Sequence, residues 1–422
     1  MKPSASRPRR RPRRTRIFAP LLALLPAPGL AAQDLVLTNA NVIDVASGAI
    51  RRGATILIEA GRIRAVQQGV GGAPAGARVI DLDGRFVAPG LMDAHVHIAT
   101  LDQARRALES GVTTARSMGT SNYADVGLAR LAATGTLPLP EIIAAGYHVR
   151  PQPAEDFFLQ HPDLARYMGG RMKGAEAVRS MVRAMLGRGV AFIKTNATER
   201  AGLPETDPRK QLYDEAELRA MVEEAATRGL GVAAHAHGDA GARAAVLAGV
   251  RSIEHGTYLS PQTLALMAQR GTYLAPTIAI VADLTQPGGD YDDALLMVRG
   301  RTMLPRVREM AALAKRAGVK IVAATDTGYG PESTTRIGHE LEELVAIGMT
   351  PLEALQAATL TTAELFGIQD RAGRIAPGMD ADLIVLERNP LEDVRVLQDV
   401  LLVVNNGVIA AQKGDWPGRG NT

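Results

Sequence analysis

Short apolar strands and amphipathic helices alternate through the middle of the chain. Strands are predicted at residues 87–98, 113–117, 142–146, 191–196, 231–236, 252–255, 273–278 and 320–325. Helical periodicity predicts helices at 215–228, 240–248, 304–317, 337–347, 351–359 and 361–365. Eight β/α units over roughly 280 residues match the size of a (β/α)8 barrel, the TIM-barrel fold. An open doubly wound sheet is the alternative, but no Gly-x-Gly-x-x-Gly turn supports it.

Both ends of the chain carry a different pattern, in which short strands are separated by glycines and turns. Residues 35–81 show no helical period, and a similar strand-rich block returns at 381–410. We therefore predict a composite β-sandwich domain built from residues 33–86 and 371–415. It would flank a barrel formed by residues 87–370.

The first 32 residues predict a secretory signal peptide. Lys2 and seven arginines from Arg7 to Arg16 precede an apolar stretch at 17–25, and small residues suited to cleavage follow at 29–32. This layout predicts a periplasmic or secreted protein without stable membrane association after cleavage, by either Sec or twin-arginine export. An uncleaved anchor is the alternative, but Pro20 interrupts a stretch that is short for a transmembrane helix.

Charge and cysteine content narrow the classes of partner and ligand. The formal net charge is +4, but the leader holds eight basic and no acidic residues, so the mature chain carries about −4. The positive net charge comes from the predicted signal peptide, so no nucleic-acid partner is predicted. The chain contains no cysteine, which excludes disulfides and thiolate ligands. Any metal must be held by histidine, carboxylate or modified lysine.

Metal-competent side chains recur at the ends of the predicted strands. His95 and His97 are two residues apart on a strand and therefore project from the same face. Later strand ends add Lys194, His235, His237, His255 and Asp326. In a barrel the carboxyl ends of the strands meet at one mouth, so we expect these groups to converge on a metal site. Each residue taken alone has a simpler interpretation, as a core or solvated surface residue.

These residues stand in motifs that resemble the amidohydrolase superfamily, and more narrowly its Xaa-Pro dipeptidase-like and imidazolonepropionase-like branch. The matching stretches are 89–97 (PGLMDAHVH), 191–194 (AFIK), 232–238 (VAAHAHG), 252–256 (SIEHG), 324–327 (ATDT) and 375–383 (IAPGMDADL). The resemblance covers nearly all of the chain after the leader. It implies the TIM barrel with a composite β-sandwich, two divalent metal ions, commonly zinc, and a homo-oligomer, with the octamer as one form.

The resemblance also implies a role for each matching residue. His95, His97 and Asp326 would bind the more buried metal, His235 and His255 the more exposed one, and N-carboxylated Lys194 would bridge both. Asp326 would in addition carry the proton. His235 and His237 compete for one ligand position. The family pattern favours His235 as the ligand and places His237 against the scissile carbonyl, while the reverse assignment stays open.

The expected reaction follows from these implied roles. It is hydrolysis of the amide bond in dipeptides or N-acyl amino acids, with the substrate's free carboxylate bound by His148 and, as a second candidate, Arg150. The branch also contains bacterial enzymes that hydrolyse ochratoxin A and release phenylalanine. His161 and His339 are expected to be structural.

Two other functions stay open. The first is a cyclic-amide hydrolase or deaminase of the same superfamily; such enzymes use one metal and typically lack the strand-four lysine. The second is a non-catalytic periplasmic binding protein, whose signature would be loss of Asp326 or of a histidine on the first strand.

Overall fold

The computed structural model describes residues 34–69, 73–414 and 416, so the predicted signal peptide lies outside the described residues. Within them the strands are β1 (Leu35–Ile43), β2 (Ile50–Glu59), β3 (Arg62–Gln68), β4 (Arg78–Asp81), β5 (Phe86–Pro89), β6 (Leu91–Val96), β7 (Val112–Ser117), β8 (Glu141–Ala144), β9 (His148–Val149), β10 (Ile193–Asn196), β11 (Val232–Gly238), β12 (Ser252–Tyr258), β13 (Tyr273–Ala275), β14 (Leu383–Leu386), β15 (Leu402–Asn405) and β16 (Val408–Gln412).

The α-helices of the described residues fall almost entirely between and after the central strands. They are α1 (Leu101–Glu109), α2 (Ala124–Ala133), α3 (Glu155–Gln160), α4 (Ala175–Arg188), α5 (Glu215–Ala226), α6 (Asp239–Ala248), α7 (Pro261–Arg270), α8 (Ile278–Asp283), α9 (Ala294–Arg316), α10 (Ile337–Ala346), α11 (Pro351–Ala357) and α12 (Leu360–Phe366). None of these helices is long and apolar enough to cross a membrane.

Strands from both ends of the chain lie in one mixed sheet of eight strands. Its order is β16-β15-β14-β5-β1-β2-β3, with β4 paired to β1. The two ends meet where β14 runs antiparallel to β5, with Leu383 opposite Pro89. Leu37, Ile56 and Ile80 belong to a separate apolar core beneath this sheet. The sheet therefore needs both termini, whereas a second layer that would make it a sandwich stays a prediction.

Gly90 marks the passage from the mixed sheet into the parallel strands. Residues 87–89, assigned to the barrel range by the sequence pattern, pair with β1 and β14 instead. A Cβ atom at Gly90 would lie 2.2 Å from Oγ1 of Thr113, so the two strands approach too closely there for any side chain.

The central strands form two parallel sheets, one of order β13-β12-β11-β10-β9 and one of order β6-β7-β8. Their residues are almost all buried, as expected for parallel strands covered by helices on the outside. The α/β fold with parallel sheets predicted from the sequence is thus confirmed. Closure of the two sheets into a complete (β/α)8 barrel stays a prediction.

The eighth predicted strand, residues 320–325, connects the two sheets without forming a regular ladder. Val322 donates its N–H to the carbonyl of Leu274 in β13, and Ala94 in β6 donates to the carbonyl of Ala323, both at 2.9 Å. Asp326 follows with a backbone φ of +60°, which lies outside the extended region and interrupts the strand.

Helix α9 differs most from its predicted bounds. The pattern indicated a start near residue 304, but the helix begins ten residues earlier and contains Pro305. Asp293 caps its first turn by accepting hydrogen bonds from the N–H groups of Leu295 and Leu296. Proline in a helix interior removes a backbone hydrogen bond, so the sequence around Pro305 looked like a boundary.

Candidate metal centre

The metal-competent residues predicted at the strand ends come together at one site. They form two clusters, in each of which the ligand atoms lie within 4.8 Å of one another: His95 with His97 and Asp326, and His235 with His237 and His255. Lys194 lines the same cavity as both clusters. All six predicted ligands and the competing His237 therefore surround one small space.

The first cluster is set by β6 and the residue that follows the 320–325 segment. Oδ1 of Asp326 lies 3.2 Å from Nε2 of both His95 and His97. The N–H of Asp326 donates to the carbonyl of His95 at 2.7 Å, which fixes the carboxylate beside the imidazoles. Burial acts to raise the pKa of Asp326, but contacts with these histidines outweigh it and hold the pKa well below its usual value. Asp326 is therefore a carboxylate at neutral pH.

Each histidine of the two clusters has one ring nitrogen engaged by a neighbouring protein group. The pairs are His95 Nδ1 with Glu254 Oε2 (2.9 Å), His97 Nδ1 with the Gly119 carbonyl (2.9 Å), His235 Nε2 with the Glu199 carbonyl (3.1 Å), His237 Nδ1 with Thr257 Oγ1 (2.9 Å) and His255 Nδ1 with Thr277 Oγ1 (2.8 Å). Metal-binding histidines characteristically have such a partner on the second nitrogen, since it sets the ring orientation and tautomer. The other nitrogen of each ring takes no part in these bonds, and in His95 and His97 it is the atom that lies beside Oδ1 of Asp326.

The second cluster contains neutral imidazoles. Burial lowers the pKa of His237 to about 3 and the pKa of His235 and His255 well below the usual value, so all three rings are uncharged at neutral pH. Neutral imidazole is the form that binds metal. The centroids of the His235 and His237 rings lie 4.5 and 4.6 Å from that of His255. Since both stand equally close to His255, the choice between them as ligand stays open.

Lys194 provides the test of whether these residues fit bound metal ions. Its side chain is buried, and its Nζ atom has no hydrogen-bond partner among the described residues. Burial lowers the pKa of this amine to about 8, although Glu254 and Asp326 act in the opposite direction. A buried amine without a partner is costly, so its place between two sets of metal-competent groups is explained if a ligand completes the site. The residues fit a divalent-metal centre.

Glu254 and Arg116 support this centre, and sequence reasoning missed both roles. Oε2 of Glu254 contacts His95, and its Oε1 accepts a hydrogen bond from Nη2 of Arg116 at 3.0 Å. Burial acts to raise the pKa of Glu254, but Arg116 and His95 lower it to about 2. The available signal was a charged residue on a buried strand: Glu254 stands directly before His255 on β12, and Arg116 lies on β7.

Asp93 is the second supporting carboxylate that the sequence did not reveal. Its Oδ1 accepts hydrogen bonds from the N–H groups of His95 and Thr325, and its Oδ2 accepts from the hydroxyls of Thr325 and Tyr329. These bonds tie the 320–325 segment to β6 and thereby bring Asp326 to its place.

Two of the candidate ligands have unusual backbone conformations. His255 has a φ of +73° and Asp326 a φ of +60°, in the left-handed region that favours glycine. Such conformations cost on the order of 1 kcal/mol or more for other residues and cluster at functional sites. Sequence patterns treat both positions as ordinary strand ends and do not predict this.

An open cavity of about 560 Å³ adjoins the centre. His97 and Asp326 contribute to its floor, while His148, Arg150 and Arg200 contribute cationic or polar groups to its wall. Nδ1 of His148 lies 3.1 Å from Oδ1 of Asn196, and burial first, followed by nearby cations, lowers the pKa of His148 well below its usual value. His148 is therefore neutral, and because Oδ1 of Asn196 can only accept, its proton lies on Nδ1 and Nε2 is left as an acceptor. The positive charge of this wall comes from the arginines.

The sequence pointed to His148 and Arg150 but not to Arg200. Arg200 lies on the loop after β10 and lines both the cavity and the metal-cluster space. A loop arginine gives no periodic signal, so only its place in the fold reveals it. His161 pairs with the Tyr123 hydroxyl, and His339 accepts from the N–H of Arg336; neither lines the cavity.

Comparison with known proteins places the chain among hydrolases of small molecules. The model of the amidohydrolase family matches residues 86–410. Ochratoxinase of Aspergillus niger is 28% identical over 348 residues, which cover 74% of this chain and 72% of that protein. An adenine deaminase of Desulfatibacillum aliphaticivorans is 26% identical over 421 residues, covering 92% of this chain and 61% of the deaminase.

A solved structure supports the same assignment at the level of the fold. A Xaa-Pro dipeptidase with methionine bound in its active site superposes with a TM-score of 0.79 and 27% identity, covering 89% of this chain and 99% of the other. Proteins of this family generally use divalent metals, in agreement with the two clusters. Because the family model spans most of the sequence and its characteristic residues meet in one site, the chain belongs to the amidohydrolase family.

Proposed function

We propose that this enzyme hydrolyses the amide bond of dipeptides or N-acyl amino acids that carry a free carboxylate. The observation that carries the proposal is the cationic wall formed by Arg150 and Arg200 beside the metal-competent clusters. A carboxylate bound there would lie beside a centre suited to amide hydrolysis. Ochratoxinase and the dipeptidase with bound methionine are relatives that support an amino acid as one product, and ochratoxin A is a specific candidate substrate.

We further propose that the centre holds two zinc ions. His95, His97 and Asp326 would hold one ion and His235 and His255 the other, with Lys194 bridging them as a carbamate. The neutral amine of Lys194 attacks carbon dioxide, forms an N–C bond and releases one proton. The resulting anion removes the unpartnered buried amine and supplies two oxygens. Bound ions would polarise the scissile carbonyl and lower the pKa of a coordinated water to about 7.

The protein's own groups have distinct tasks in the proposed reaction. Oδ1 of Asp326 faces His95 and His97, so its Oδ2 is available to accept the proton of the attacking water and pass it to the leaving nitrogen. His237 bonds Thr257 through Nδ1, which leaves Nε2 to donate to the carbonyl oxygen as negative charge develops there. Arg150 would hold the substrate's carboxylate and fix the amide over the centre. His148 would share this binding with a proton on Nε2, which requires Asn196 to present its amide N–H to Nδ1.

Deamination or opening of a cyclic amide is the second candidate, favoured by the adenine deaminase among the relatives. Two features argue against it: the buried amine of Lys194, which a one-metal site does not need, and a cationic wall for which a neutral purine offers no charge. A non-catalytic binding protein is less well supported, because His95, His97 and Asp326 are all present and assembled.

The test combines metal analysis with a substrate panel. Bound metal would be measured first, followed by product release from dipeptides, N-acyl amino acids, ochratoxin A, adenine and cyclic amides. We expect about two metal ions per chain and turnover of the carboxylate-bearing amides. Asp326→Asn should abolish turnover, whereas the exposed Asp102→Asn should not. Turnover of adenine alone, or an unchanged rate in Asp326→Asn, would overturn the proposal.

We also propose the architecture and location predicted from the sequence: closure of the parallel sheets into a (β/α)8 barrel over residues 87–370, a composite β-sandwich from 33–86 and 371–415, and a homo-oligomer, with the octamer as one form. Residues 1–32 would be removed on export to the periplasm or medium. Amino-terminal sequencing of the exported protein tests the cleavage, and a start before residue 20 would refute it. Light scattering tests the assembly.

A further inference from the structure

We propose that Arg200 determines specificity by binding the substrate's carboxylate, and that Arg299 positions it. The inference rests on the proposed function for the reaction, but it concerns a subsite that can be tested by binding alone.

Arg200 lies at the junction of the two cavities and makes no direct ion pair with the carboxylates of Asp326, Asp290 and Glu332 that line them. Within the described residues its guanidinium has no hydrogen bond and no ion pair, although it lines both the open cavity and the metal-cluster space. Arg150 lines the same open cavity as Arg200, and burial followed by the charge of Arg200 lowers the pKa of Arg150. Two guanidinium groups that line one cavity favour an anion within it, and a carboxylate matches their planar donors.

The loop that carries Arg200 is fixed from helix α9. Nη1 of Arg299 donates to the carbonyls of Ala201 and Leu203, both at 2.7 Å, and Nη2 donates to those of Pro204 (3.0 Å) and Thr206 (2.8 Å). One guanidinium thus engages four carbonyls within the six residues after Arg200. Because these bonds are made to backbone carbonyls, they fix the path of the loop directly.

Two further contacts pass this restraint to Arg200 itself. The hydroxyl of Thr206 donates to the carbonyls of Arg200 and Leu203, closing the turn that starts at Arg200. Gly202 lies against the ring of Tyr291, where an added Cβ would come within 3.3 Å of the ring. Since bidentate recognition depends on geometry, a loop displaced by about 1 Å would weaken carboxylate binding while leaving the metal ligands in place.

The first experiment compares alanyl-L-methionine with its carboxyl-terminal amide. In Arg200→Gln we expect the ratio of kcat/KM for acid over amide to fall about 10- to 100-fold, mainly through KM, as for loss of a charged hydrogen bond. Arg200→Lys keeps the charge and should recover part of the ratio. Arg209→Gln, an exposed arginine on the same loop, is the control and should match the wild type. An unchanged ratio in Arg200→Gln would overturn the proposal.

The positioning role of Arg299 has its own comparison. Arg299→Gln should lower the acid-to-amide ratio about 3- to 10-fold with unchanged metal content, and Arg299→Lys should recover part of it. Arg301→Gln, on the exposed side of the same helix, should have no effect. Equal losses for acid and amide would indicate a merely structural role and refute the assignment.

Binding measurements separate this inference from the proposed function. Calorimetry with L-methionine and L-methioninamide should give at least tenfold tighter binding of the acid to the wild type, and this preference should disappear in Arg200→Gln. If the wild type hydrolyses no member of the panel yet shows that preference, the proposed function fails and the subsite stands. If the wild type does not prefer the acid, or Arg200→Gln retains the preference, the subsite is refuted.

Discussion

Replacing Glu254 by glutamine would remove a buried negative charge shared by Arg116 and His95. The Arg116–Glu254 contact is 3.0 Å long and both side chains are buried. At an effective dielectric constant of about 20, the attraction is roughly 5 kcal/mol before the cost of desolvation. Breaking a buried pair by removing one partner costs about 3–5 kcal/mol. Because glutamine keeps the shape and part of the hydrogen bonding, we expect a loss of about 3 kcal/mol in the free energy of unfolding.

Two measurements check this expectation. Thermal unfolding of the metal-free protein should show a decrease of about 4 °C, from the usual unfolding entropy per residue over a chain of this size. Competition with a chelator should show about 10- to 100-fold weaker metal binding, since Glu254 orients His95 through its Nδ1. Glu309→Gln is a matched control, because Glu309 pairs with Arg306 at 3.4 Å on the exposed surface, where such pairs contribute little.

A second substitution distinguishes an unpaired charge from lost packing. Adding Arg116→Met to Glu254→Gln removes the abandoned cation and should restore part of the stability, while metal binding stays weak. The reasoning is refuted if Glu254→Gln unfolds within about 1 °C of Glu309→Gln and keeps its metal affinity.

Three further predictions follow from the site, and a fourth follows from the packing of helix α6. His235→Ala should lose about one metal ion per chain, whereas His237→Ala should keep both and lose turnover; metal analysis showing the opposite would exchange the two roles. Because the folded-state pKa of Lys194 is lowered to about 8, the unfolded chain binds more protons from about pH 8 to 10.5, so metal-free protein should gain roughly 3 kcal/mol of stability as pH rises through that window. Lys194→Met should flatten this rise in denaturant titrations. His148→Ala should weaken binding of carboxylate substrates less than twentyfold, since a neutral imidazole contributes at most one hydrogen bond and no positive charge; a larger effect in steady-state kinetics would contradict its neutrality. Gly241→Ala should destabilise the protein by about 1–3 kcal/mol in thermal unfolding, because its Cβ would lie 2.7 Å from the Ala197 carbonyl.

The candidate metal ligands were predictable because a pair of histidines two residues apart on an apolar strand can be recognised from the local sequence. His95 lies on β6 and His97 directly follows it, while Lys194, His235 and His255 lie within the buried strands β10, β11 and β12. The alternation of strands and helices likewise indicated parallel sheets with the ligands at one edge. The pattern predicts a regular strand at residues 320–325, whereas the structure has only an isolated bridge there and a left-handed Asp326 directly after it, which no hydropathy pattern records.

The supporting residues escaped the sequence because their roles depend on partners far away in the chain. Glu254 acts on His95 across 159 residues, and Arg299 holds carbonyls more than 90 residues earlier. Each looks like an ordinary charged residue within its own segment. Residue spacing reveals groups that share one strand or one turn. The contacts of Glu254 and Arg299 form only in the folded chain, where distant segments lie side by side.

At His255 and Asp326 the left-handed backbone costs stability, while the side chain is needed for the proposed metal centre. Glycine would relax either backbone while deleting a metal-competent side chain, so a change that abolishes the centre can make the chain harder to unfold. A library of variants selected only for heat resistance should therefore accumulate glycine at these two positions and lose activity. Engineering this scaffold for durability requires turnover to be selected in the same step.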